Sequence, residues 1–484
     1  MTPRNLLFIF SDEHTQEITG CYGNPIVRTP VLDALAARGT RFDNAYTNCP
    51  ICVPARASLA TGRYVHQIGC WDNAHPYTDN PPGWGQRLID RGHEVTAIGK
   101  LHYRDSQDAN GFAHEIDTLN VVDGLGDLLG LERRHMEERG AAKQLAAQSG
   151  PGDSTYIRYD ASTAEQACRW LAEEAPKLGD RPWVLFVGFV LPHFPLIAPQ
   201  DYYDLYPPDS LPWPRFYGPD ERQTHPVIET LSQVLAYDPY FDDRTVRVAR
   251  SAYFGMVSLL DHNIGLVLAA LKTNGHGDDT RILYTSDHGD NLGHRGLWGK
   301  SVMYEEAAKI PMILAGPEVP AGHAVAAPVS LVDCYQTILE GAGMALTEEE
   351  QHHMPGHSLL RMAAGETPER TVLSEYHAAG SSTGFFMIRD GKWKYVHYVG
   401  EVPQLFDLEA DPQEARDLGT SADHGDVLAR CEAKLRAIVD PEAVNERAFR
   451  DQQARIDANG GLEAIRARGD FGYTPAPGQV PTFD

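Results

Sequence analysis

The sequence predicts an α/β protein whose large, mostly parallel or mixed sheet is covered by helices on both faces. Short apolar segments alternate with amphipathic helical segments over most of the chain, the order expected of strand–helix–strand units. The 484 residues are 42% hydrophobic and 23% charged, which excludes a disordered or fibrous protein. A smaller antiparallel β subdomain and a helical tail are expected to follow.

Polar residues follow the predicted buried strands of the α/β part at their carboxyl ends. The strands are predicted from apolar runs over 6–11, 95–99, 183–191, 281–286 and 311–315, with sheet-covering helices over 163–174 and 248–272. Ligands of open α/β sheets collect outside the carboxyl ends of the strands. We therefore expect a site there, formed by Asp12, Glu13, Lys100, His102, His193, Asp287 and His288.

Aromatic strand candidates begin near residue 370 and indicate the smaller antiparallel subdomain. They cover 371–376, 385–389, 393–399 and 404–408, and Asp390-Gly391 between the second and third is a hairpin-turn signal. We divide the chain into an α/β domain at 1–369, the antiparallel subdomain at 370–440 and a helical, Pro/Gly-rich tail at 441–484. The tail is expected to be frayed or docked on another subunit.

The charge and the N-terminus restrict the partners and the compartment. A net charge of −25 argues against nucleic acid and anionic membranes as partners, although a metal ion and a few cations can still make one pocket positive. The first apolar run, Leu6 to Phe10, is too short for a secretory signal, and no segment approaches the roughly 20 apolar residues that cross a bilayer. A cytoplasmic protein with reduced cysteines is expected.

The most informative segment runs from Cys49 to Tyr64. Pro54 suits the first turn of a helix and Gly62 its end, so Cys52 lies at a helix N-terminus, where free amides and the helix dipole favour an anion. By itself, Cys49-x-x-Cys52 is compatible with a redox pair or half of a zinc site. No second cysteine pair or nearby histidine pair completes a zinc set.

The residues Cys52-Val53-Pro54-Ala55-Arg56 match the C-x-P-x-R motif, and the chain resembles the type I sulfatases of the alkaline phosphatase superfamily. Further segments stand in the family's order: the opening strand with Asp12, then 99–102, 191–195, 286–300 and 405–418. The details are most similar to choline sulfatases and phosphonate monoester hydrolases, which share Asp-His after the fourth strand and Asn after the nucleophile helix. That Asn is Asn73 here, an expected donor to a sulfate oxygen.

This resemblance implies hydrolysis of sulfate monoesters through a covalent sulfo-enzyme on formylglycine, made from Cys52 by a separate formylglycine-generating enzyme. One hydroxyl of the hydrated aldehyde attacks sulfur, and deprotonation of the other expels sulfate. A plain serine would instead leave a stable sulfate ester. The expected partner is a small sulfate ester, and a homo-oligomer, dimer or tetramer, is expected.

The resemblance also implies one divalent metal ion, Ca²⁺ or Mn²⁺, held by Asp12, Asp287, His288 and modified residue 52. Such an ion activates the nucleophile and neutralises sulfate oxygens. Glu13 stands where most sulfatases have a second Asp and the closer relatives a Gln, so its role as a metal ligand is open. His288 adds a nitrogen to an oxygen-rich site and shifts the expectation partly from Ca²⁺ towards Mn²⁺.

The remaining roles also come from the family motifs. Arg56 is expected to hold the deprotonated hydroxyl and the carboxylates beside the metal, and Lys100 and Lys300 to bind the sulfate oxygens. His102 fits the base that removes the second hydroxyl proton, and His193 fits the general acid for the leaving group. Without these motifs, each lysine would be read as a surface charge and each histidine as structural.

Two other functions are considered. A phosphonate monoester or phosphodiester hydrolase would use the same machinery, and low activity on both substrate classes is compatible with it. A metal-binding protein without catalysis is disfavoured, because the nucleophile, both lysines and both histidines are present. The leaving-group pocket could be lined by residues near the motifs, although core packing explains the same residues as well: Trp71, Tyr103, Trp298 and Glu375.

Overall fold

The computed structural model describes residues 2–222 and 225–483. Its strands confirm each predicted α/β strand within one residue at either end. In chain order they are β1 Asn5–Asp12, β2 Gly39–Phe42, β3 Ala45–Tyr46, β4 Glu94–Lys100, β5 His114–Leu119, β6 Gly150–Pro151, β7 Trp183–Pro192, β8 Ile197–Ala198, β9 Thr280–Ser286, β10 Met312–Ala315, β11 His323–Val325, β12 Val329–Ser330, β13 Val372–Tyr376, β14 Phe385–Asp390, β15 Trp393–Tyr398 and β16 Gln404–Asp407.

The helices alternate with these strands. Short 3₁₀ turns lie at Gly20–Tyr22, Val122–Gly124, Leu128–Leu131, Ala175–Leu178, Pro208–Ser210, His294–Gly296 and Ala422–His424. The α-helices are α1 Pro30–Ala37, α2 Cys52–Thr61, α3 Val65–Ile68, α4 Trp84–Ile89, α5 Ala141–Gln148, α6 Thr155–Glu173, α7 Gln200–Tyr203, α8 Pro226–Leu235, α9 Asp243–Thr273, α10 Glu305–Ala308, α11 Asp333–Gly341, α12 Glu348–His353, α13 Leu359–Ala363, α14 Gly425–Ile438, α15 Pro441–Ala458 and α16 Leu462–Arg468.

The large sheet has eight strands in the order β11-β2-β10-β9-β1-β7-β4-β5. The strands from β9 to β5 are parallel, whereas β10 runs antiparallel to both of its neighbours. This confirms the predicted mixed sheet with helices on both faces. The order places β1 between β7 and β9, so the carboxyl ends of these strands lie side by side.

Strand β1 is buried on both faces because its side chains alternate between two cores. Leu7 and Ile9 pack with α6 and α9 on one face, and Phe8 and Phe10 pack with α2 and α11 on the other. A run of apolar residues is the pattern expected of a central parallel strand. The two cores fix the strand, and with it the position of the polar residues that end it.

The two predicted sheet-covering helices begin earlier than their apolar pattern indicated. The Ser154 side chain caps α6 by accepting a hydrogen bond from the Ile157 N–H, and Asp242 caps α9 in the same way from Thr245. Such caps satisfy amides of the first turn. In α6 the added turns bury Tyr156, Tyr159 and Asp160, a mixture of aromatic and polar residues that a search for aliphatic periodicity does not detect.

Among the described helices, α9 is long and apolar enough to cross a membrane by length and composition. Asp261 and Asn263 interrupt its apolar run, which is why the sequence predicted no candidate span. Most of its apolar stretch is buried against the rest of the protein. This is the environment of a core helix in an α/β fold.

The smaller sheet is antiparallel, in the order β13-β14-β15-β16. Buried ion pairs join it to the α/β part: Lys394 of β15 lies 2.9 Å from Glu305 of α10 and 2.7 Å from Glu414. A buried lysine is tolerated when it is paired in this way. The sheet is thus packed on the α/β part instead of being tethered by a linker.

The C-terminal segment is not frayed over residues 470–476, and its contact with another subunit stays a prediction. Residues 470–476 dock on their own chain, where Asp470 pairs with Arg139, the Tyr473 ring packs edge-on to Tyr156 and Ala476 is buried. Small apolar and aromatic contacts of this kind connect positions far apart in sequence. No periodic pattern in the sequence predicts them.

Candidate active site

Residues from four strands meet at one edge of the large sheet. Asp12 ends β1, Lys100 ends β4, His193 follows β7 and Asp287 follows β9, and all four are buried. This arrangement results from the parallel order of the strands, because their carboxyl ends share one edge. The predicted position of the site is where these side chains converge.

Cys52 begins α2, and Gly62 ends the helix with a left-handed φ of 65°. The Cys52 Sγ lies 3.2 Å from His288 Nε2 and 3.6 Å from Asp12 Oδ1. Every residue of α2 is buried. The helix therefore directs the candidate nucleophile into the cluster of residues at the strand ends.

Arg56, one helical turn after Cys52, joins two strand ends. Its Nη2 lies 2.9 Å from Asp12 Oδ2 and its Nε 2.9 Å from Asp287 Oδ2, and its guanidinium covers the Phe10 ring at 4.8 Å. Although burial opposes it, the positive charges of Lys100 and Arg56 hold the pKa of Asp12 well below its ordinary value. The Asp12 carboxylate is thus kept ionised.

The predicted metal ligands fit a divalent cation. Donor atoms of Asp12, Cys52, Asp287 and His288 all lie within 4.8 Å of one another. The His288 Nδ1–H donates to the Gly289 carbonyl at 3.0 Å, which leaves the Nε2 lone pair available towards the cluster. Carboxylate oxygens with one imidazole nitrogen form a donor set suited to Ca²⁺ or Mn²⁺.

Glu13 takes a separate position beside this donor set. Its Oε2 lies 3.0 Å from Lys300 Nζ and 3.4 Å from His193 Nε2, and its backbone N–H donates to Asp287 Oδ1 at 3.1 Å. The residue has a φ of 66°, the left-handed region that costs energy for a residue with a β-carbon. Its role as a metal ligand stays a prediction.

The two predicted sulfate-binding lysines are not surface charges. Lys100 Nζ lies 2.6 Å from Asp12 Oδ2, and Lys300 Nζ lies 5.0 Å from the centre of the Phe194 ring. Although burial opposes it, the neighbouring groups Cys52, Glu13 and Asp12 raise the pKa of Lys300 above its ordinary value. This lysine remains a cation at neutral pH.

Both predicted catalytic histidines are buried at the same place. The His193 Nδ1–H donates to the Phe194 carbonyl at 2.6 Å, and His102 Nε2 lies 3.0 Å from Thr474 Oγ1. Burial lowers the pKa of both well below the ordinary value, and the nearby lysines add to the effect. Without a bound anion, both imidazoles are neutral at neutral pH.

A cavity of about 150 Å³ opens onto Cys52. Its base is formed by predicted residues: Cys52, Asn73, Lys100, His102, His193 and Lys300. Asn73 also accepts a hydrogen bond from the Val53 N–H at 3.1 Å, which leaves its amide nitrogen as the group available to an anion. Nucleophile, cations and polar donors thus share one enclosed space.

Comparison with known proteins identifies the family. Residues 4–344 match the family model described as "Sulfatase", and residues 293–440 match the model described as "N-sulphoglucosamine sulphohydrolase, C-terminal". The chain belongs to the sulfatase family. Membership identifies it as a sulfuric ester hydrolase.

The similarity extends over nearly the whole sulfatase chain. It is 32% identical to a choline-sulfatase of Rhizobium meliloti, over 93% of this chain and 90% of that protein. It is 30% identical to an arylsulfatase K of Danio rerio, over 92% of this chain and 86% of that protein. A solved phosphonate monoester hydrolase of Silicibacter pomeroyi has a TM-score of 0.72 at 25% identity, covering 90% of this chain and 94% of that one.

The outer wall of the sulfatase cavity is the part that sequence reasoning missed. It is aromatic, and the residues come from distant segments: Tyr156, Phe194, Tyr237, Tyr376, Phe471 and Tyr473. The suggested alternatives Trp71, Tyr103, Trp298 and Glu375 do not line this cavity; the first three are buried in the core. The one sequence signal was the Phe471-Gly472-Tyr473 cluster in a tail otherwise poor in aromatic residues.

Glu375 contacts two histidines instead of lining the cavity. It is buried and accepts from the His66 Nδ1 at 2.9 Å and lies 3.0 Å from His377 Nε2. These histidines lower the pKa of Glu375 although burial opposes the shift. The group therefore stabilises the packing of β13 against α3 and is not part of the cavity.

Proposed function

We propose that this sulfatase hydrolyses sulfate monoesters with residue 52, oxidised from Cys52 to formylglycine, as the nucleophile and with one divalent metal ion beside it. The observation that carries the proposal is the position of Cys52 Sγ, at the start of α2 and 3.2 Å from His288 Nε2 within the cluster of metal donors. Family membership supports the same assignment.

The unmodified thiol is a poor candidate for the nucleophile. Burial, with a further contribution from the Asp12 carboxylate, raises the pKa of Cys52 to about 11. The thiolate is the reactive form of cysteine, and at neutral pH it would be scarce here. This supports the conversion of Cys52 to an aldehyde whose hydrate supplies the attacking hydroxyl.

The metal would be held by Asp12, Asp287, His288 and residue 52, with Arg56 bridging the two carboxylates from behind. When bound, the ion lowers the pKa of the attacking hydroxyl and offsets negative charge on the sulfate. Arg56 keeps the two aspartates in fixed positions. The donor set does not distinguish Ca²⁺ from Mn²⁺.

Lys100 and Lys300 supply the sulfate-binding charges. Both line the cavity together with Cys52, and in the absence of substrate each is paired with a carboxylate, Asp12 or Glu13. A sulfate ester that enters would take over part of these contacts. Fixed cations that meet developing negative charge lower the barrier because they need no reorganisation.

The two histidines divide the proton transfers. His102 is neutral and is suited to accept a proton, which fits the base that regenerates the aldehyde. Because the pKa of His193 is lowered by burial and Lys300, a bound anion beside it raises that pKa and favours its protonated form. Protonation of His193 is thereby coupled to substrate binding, as a general acid requires.

The aromatic outer wall favours a flat, uncharged leaving group. The carboxylate that lines the cavity, Asp127, already pairs with Arg139 at 2.8 Å. A cationic leaving group such as choline could therefore contact the faces of the aromatic rings, but it would find no unpaired carboxylate among the described residues that line the cavity. Aromatic rings pack well against aromatic walls. We therefore propose an aryl sulfate as the better substrate, with choline sulfate as the alternative.

Phosphonate monoester hydrolysis is the second candidate function. A solved protein of that name shares the fold over 90% of this chain, and a phosphonate monoester carries the same single negative charge as a sulfate monoester. The same two lysines would bind either anion. Cytoplasmic residence, assembly into a homo-oligomer and maturation by a formylglycine-generating enzyme also remain predictions.

A substrate panel tests the proposed function. The protein, produced together with a formylglycine-generating enzyme, is assayed with nitrophenyl sulfate, choline sulfate and the nitrophenyl ester of phenylphosphonate. We expect kcat/KM to be highest for the aryl sulfate. A higher kcat/KM for the phosphonate would transfer the assignment to the second candidate.

His193→Ala is expected to slow the hydrolysis of phenyl sulfates in proportion to the pKa of the leaving phenol. Positioned proton transfer contributes roughly 10²–10⁴-fold, and a nitrophenolate needs little of it. The measurement is log kcat/KM against leaving-group pKa for wild type and variant. If both plots have the same slope while chemistry is rate-limiting, His193 is not the acid.

A further inference from the structure

The C-terminal segment forms part of the active-site cavity. Residues Phe471 to Thr474 line the cavity together with Cys52 and His102. Asp470 anchors the segment through two contacts with Arg139, and the Tyr156 hydroxyl donates to the Thr474 carbonyl. The backbone of Thr474 is therefore held in place on the side of the cavity where His102 lies.

Thr474 is the hydrogen-bond partner of the His102 ring. Its Oγ1 lies 3.0 Å from His102 Nε2, and within the described residues the ring has no other hydrogen bond. The His102 Nδ1 is buried and unpartnered in that same part of the chain. Of the two ring nitrogens, Nδ1 is therefore the one left for a reacting group.

A neutral imidazole carries its proton on one nitrogen and a lone pair on the other. If Nε2 carries the proton and donates it to Thr474 Oγ1, Nδ1 holds the lone pair and can act as a base. If Thr474 instead donated to Nε2, the proton would lie on Nδ1 and the ring could not accept one there. The hydrogen-bond partner of a histidine thus selects its reactive form.

We propose that Thr474 is a positioning residue, whose Oγ1 accepts a hydrogen bond from His102 Nε2–H and holds His102 in the tautomer with an unprotonated Nδ1. This inference rests on the proposed function, in which His102 removes a proton from the modified residue 52. It adds a residue 372 positions away in sequence to the machinery of the same site. The segment 470–474 is then part of the active site of its own chain.

Imidazole ¹⁵N chemical shifts test the tautomer directly. The protein as isolated is labelled with ¹⁵N-histidine, and the His102 signals are assigned by their loss in His102→Gln. We expect the wild type to show a protonated Nε2 and an unprotonated Nδ1 at neutral pH. We expect Thr474→Val, which keeps the shape but removes the hydroxyl, to show a mixture of tautomers.

Kinetics provide the second readout. For an aryl sulfate, Thr474→Val should lower kcat about tenfold, the effect of losing one neutral hydrogen bond, with little change in KM. Thr474→Ser retains the hydroxyl and should recover most of the lost kcat. Thr482→Val makes the same chemical change at an exposed position of the C-terminal tail, outside the segment 470–474, and should behave as wild type.

The outcomes separate this inference from the proposed function. A protonated Nδ1 in wild type, or an unchanged tautomer and unchanged kcat in Thr474→Val, would overturn the role of Thr474. If Thr474→Val does not fold, the tautomer seen in the wild-type spectrum and the kcat of Thr474→Ser still test the role of Thr474. A wild-type protein that hydrolyses no sulfate ester would refute the proposed function, while the spectra would still report whether Thr474 sets the tautomer.

Discussion

Asp287→Asn is expected to remove the divalent metal and sulfate ester hydrolysis together. The amide keeps the size of the side chain but loses the charge that faces Arg56 Nε at 2.9 Å and the metal donors. Loss of an outer-shell partner alone costs about 10–100-fold in metal affinity or activity, so loss of a ligand should exceed that range. Metal content by mass spectrometry and kcat/KM are measured on the same preparation, and Asp12→Asn should give the same result.

The matched control is another buried aspartate. Asp261 of α9 accepts hydrogen bonds from the Val31 and Leu32 backbone amides at 3.0 and 2.9 Å. It does not line the active-site cavity. Asp261→Asn should lower the thermal stability yet retain metal and activity. If Asp287→Asn retained a full equivalent of metal, the assignment of the ligand set would be wrong.

Cys52→Ala is expected to reduce activity by at least about 10⁴-fold, since removal of a covalent nucleophile leaves only the binding and electrostatic contributions. Cys49→Ala, which removes the neighbouring buried thiol, should retain both metal and activity. Peptide mass spectrometry of the wild type, produced with a formylglycine-generating enzyme, should detect an aldehyde at residue 52.

Two results would contradict this assignment of Cys52. A fully active preparation in which residue 52 is entirely unmodified cysteine would identify the thiol, despite its raised pKa, as the nucleophile. A loss of metal in Cys49→Ala would restore the zinc half-site that Cys49-x-x-Cys52 suggests. The pair of variants therefore tests the nucleophile and the metal site separately.

The base of the site could be predicted because it depends on local patterns. Apolar runs located the strands, and the polar residues that follow them, such as Asp12 and Asp287, had to meet at one edge of a parallel sheet. Pro54 and Gly62 located the helix that begins at Cys52. The contacts of Arg56 with both aspartates were expected from the resemblance to the type I sulfatases and not from these placements.

The outer wall could not be predicted because it depends on contacts between distant segments. Tyr156 lies in the first turn of α6, before the segment that the apolar pattern included, and Thr474 reaches His102 across 372 positions of sequence. The charge of Glu13 was visible in the sequence. Its contact with Lys300 Nζ at 3.0 Å depends on side-chain directions that only the folded structure specifies.

The burial of α2 bears on when residue 52 could be modified. Cys52 is 1% exposed, and its helix packs against α3, α4 and α11. An enzyme that oxidised residue 52 would have to reach a side chain that the folded protein buries. If residue 52 is oxidised as we propose, the modification has to precede the burial of α2, and a chain that folded first would retain its thiol.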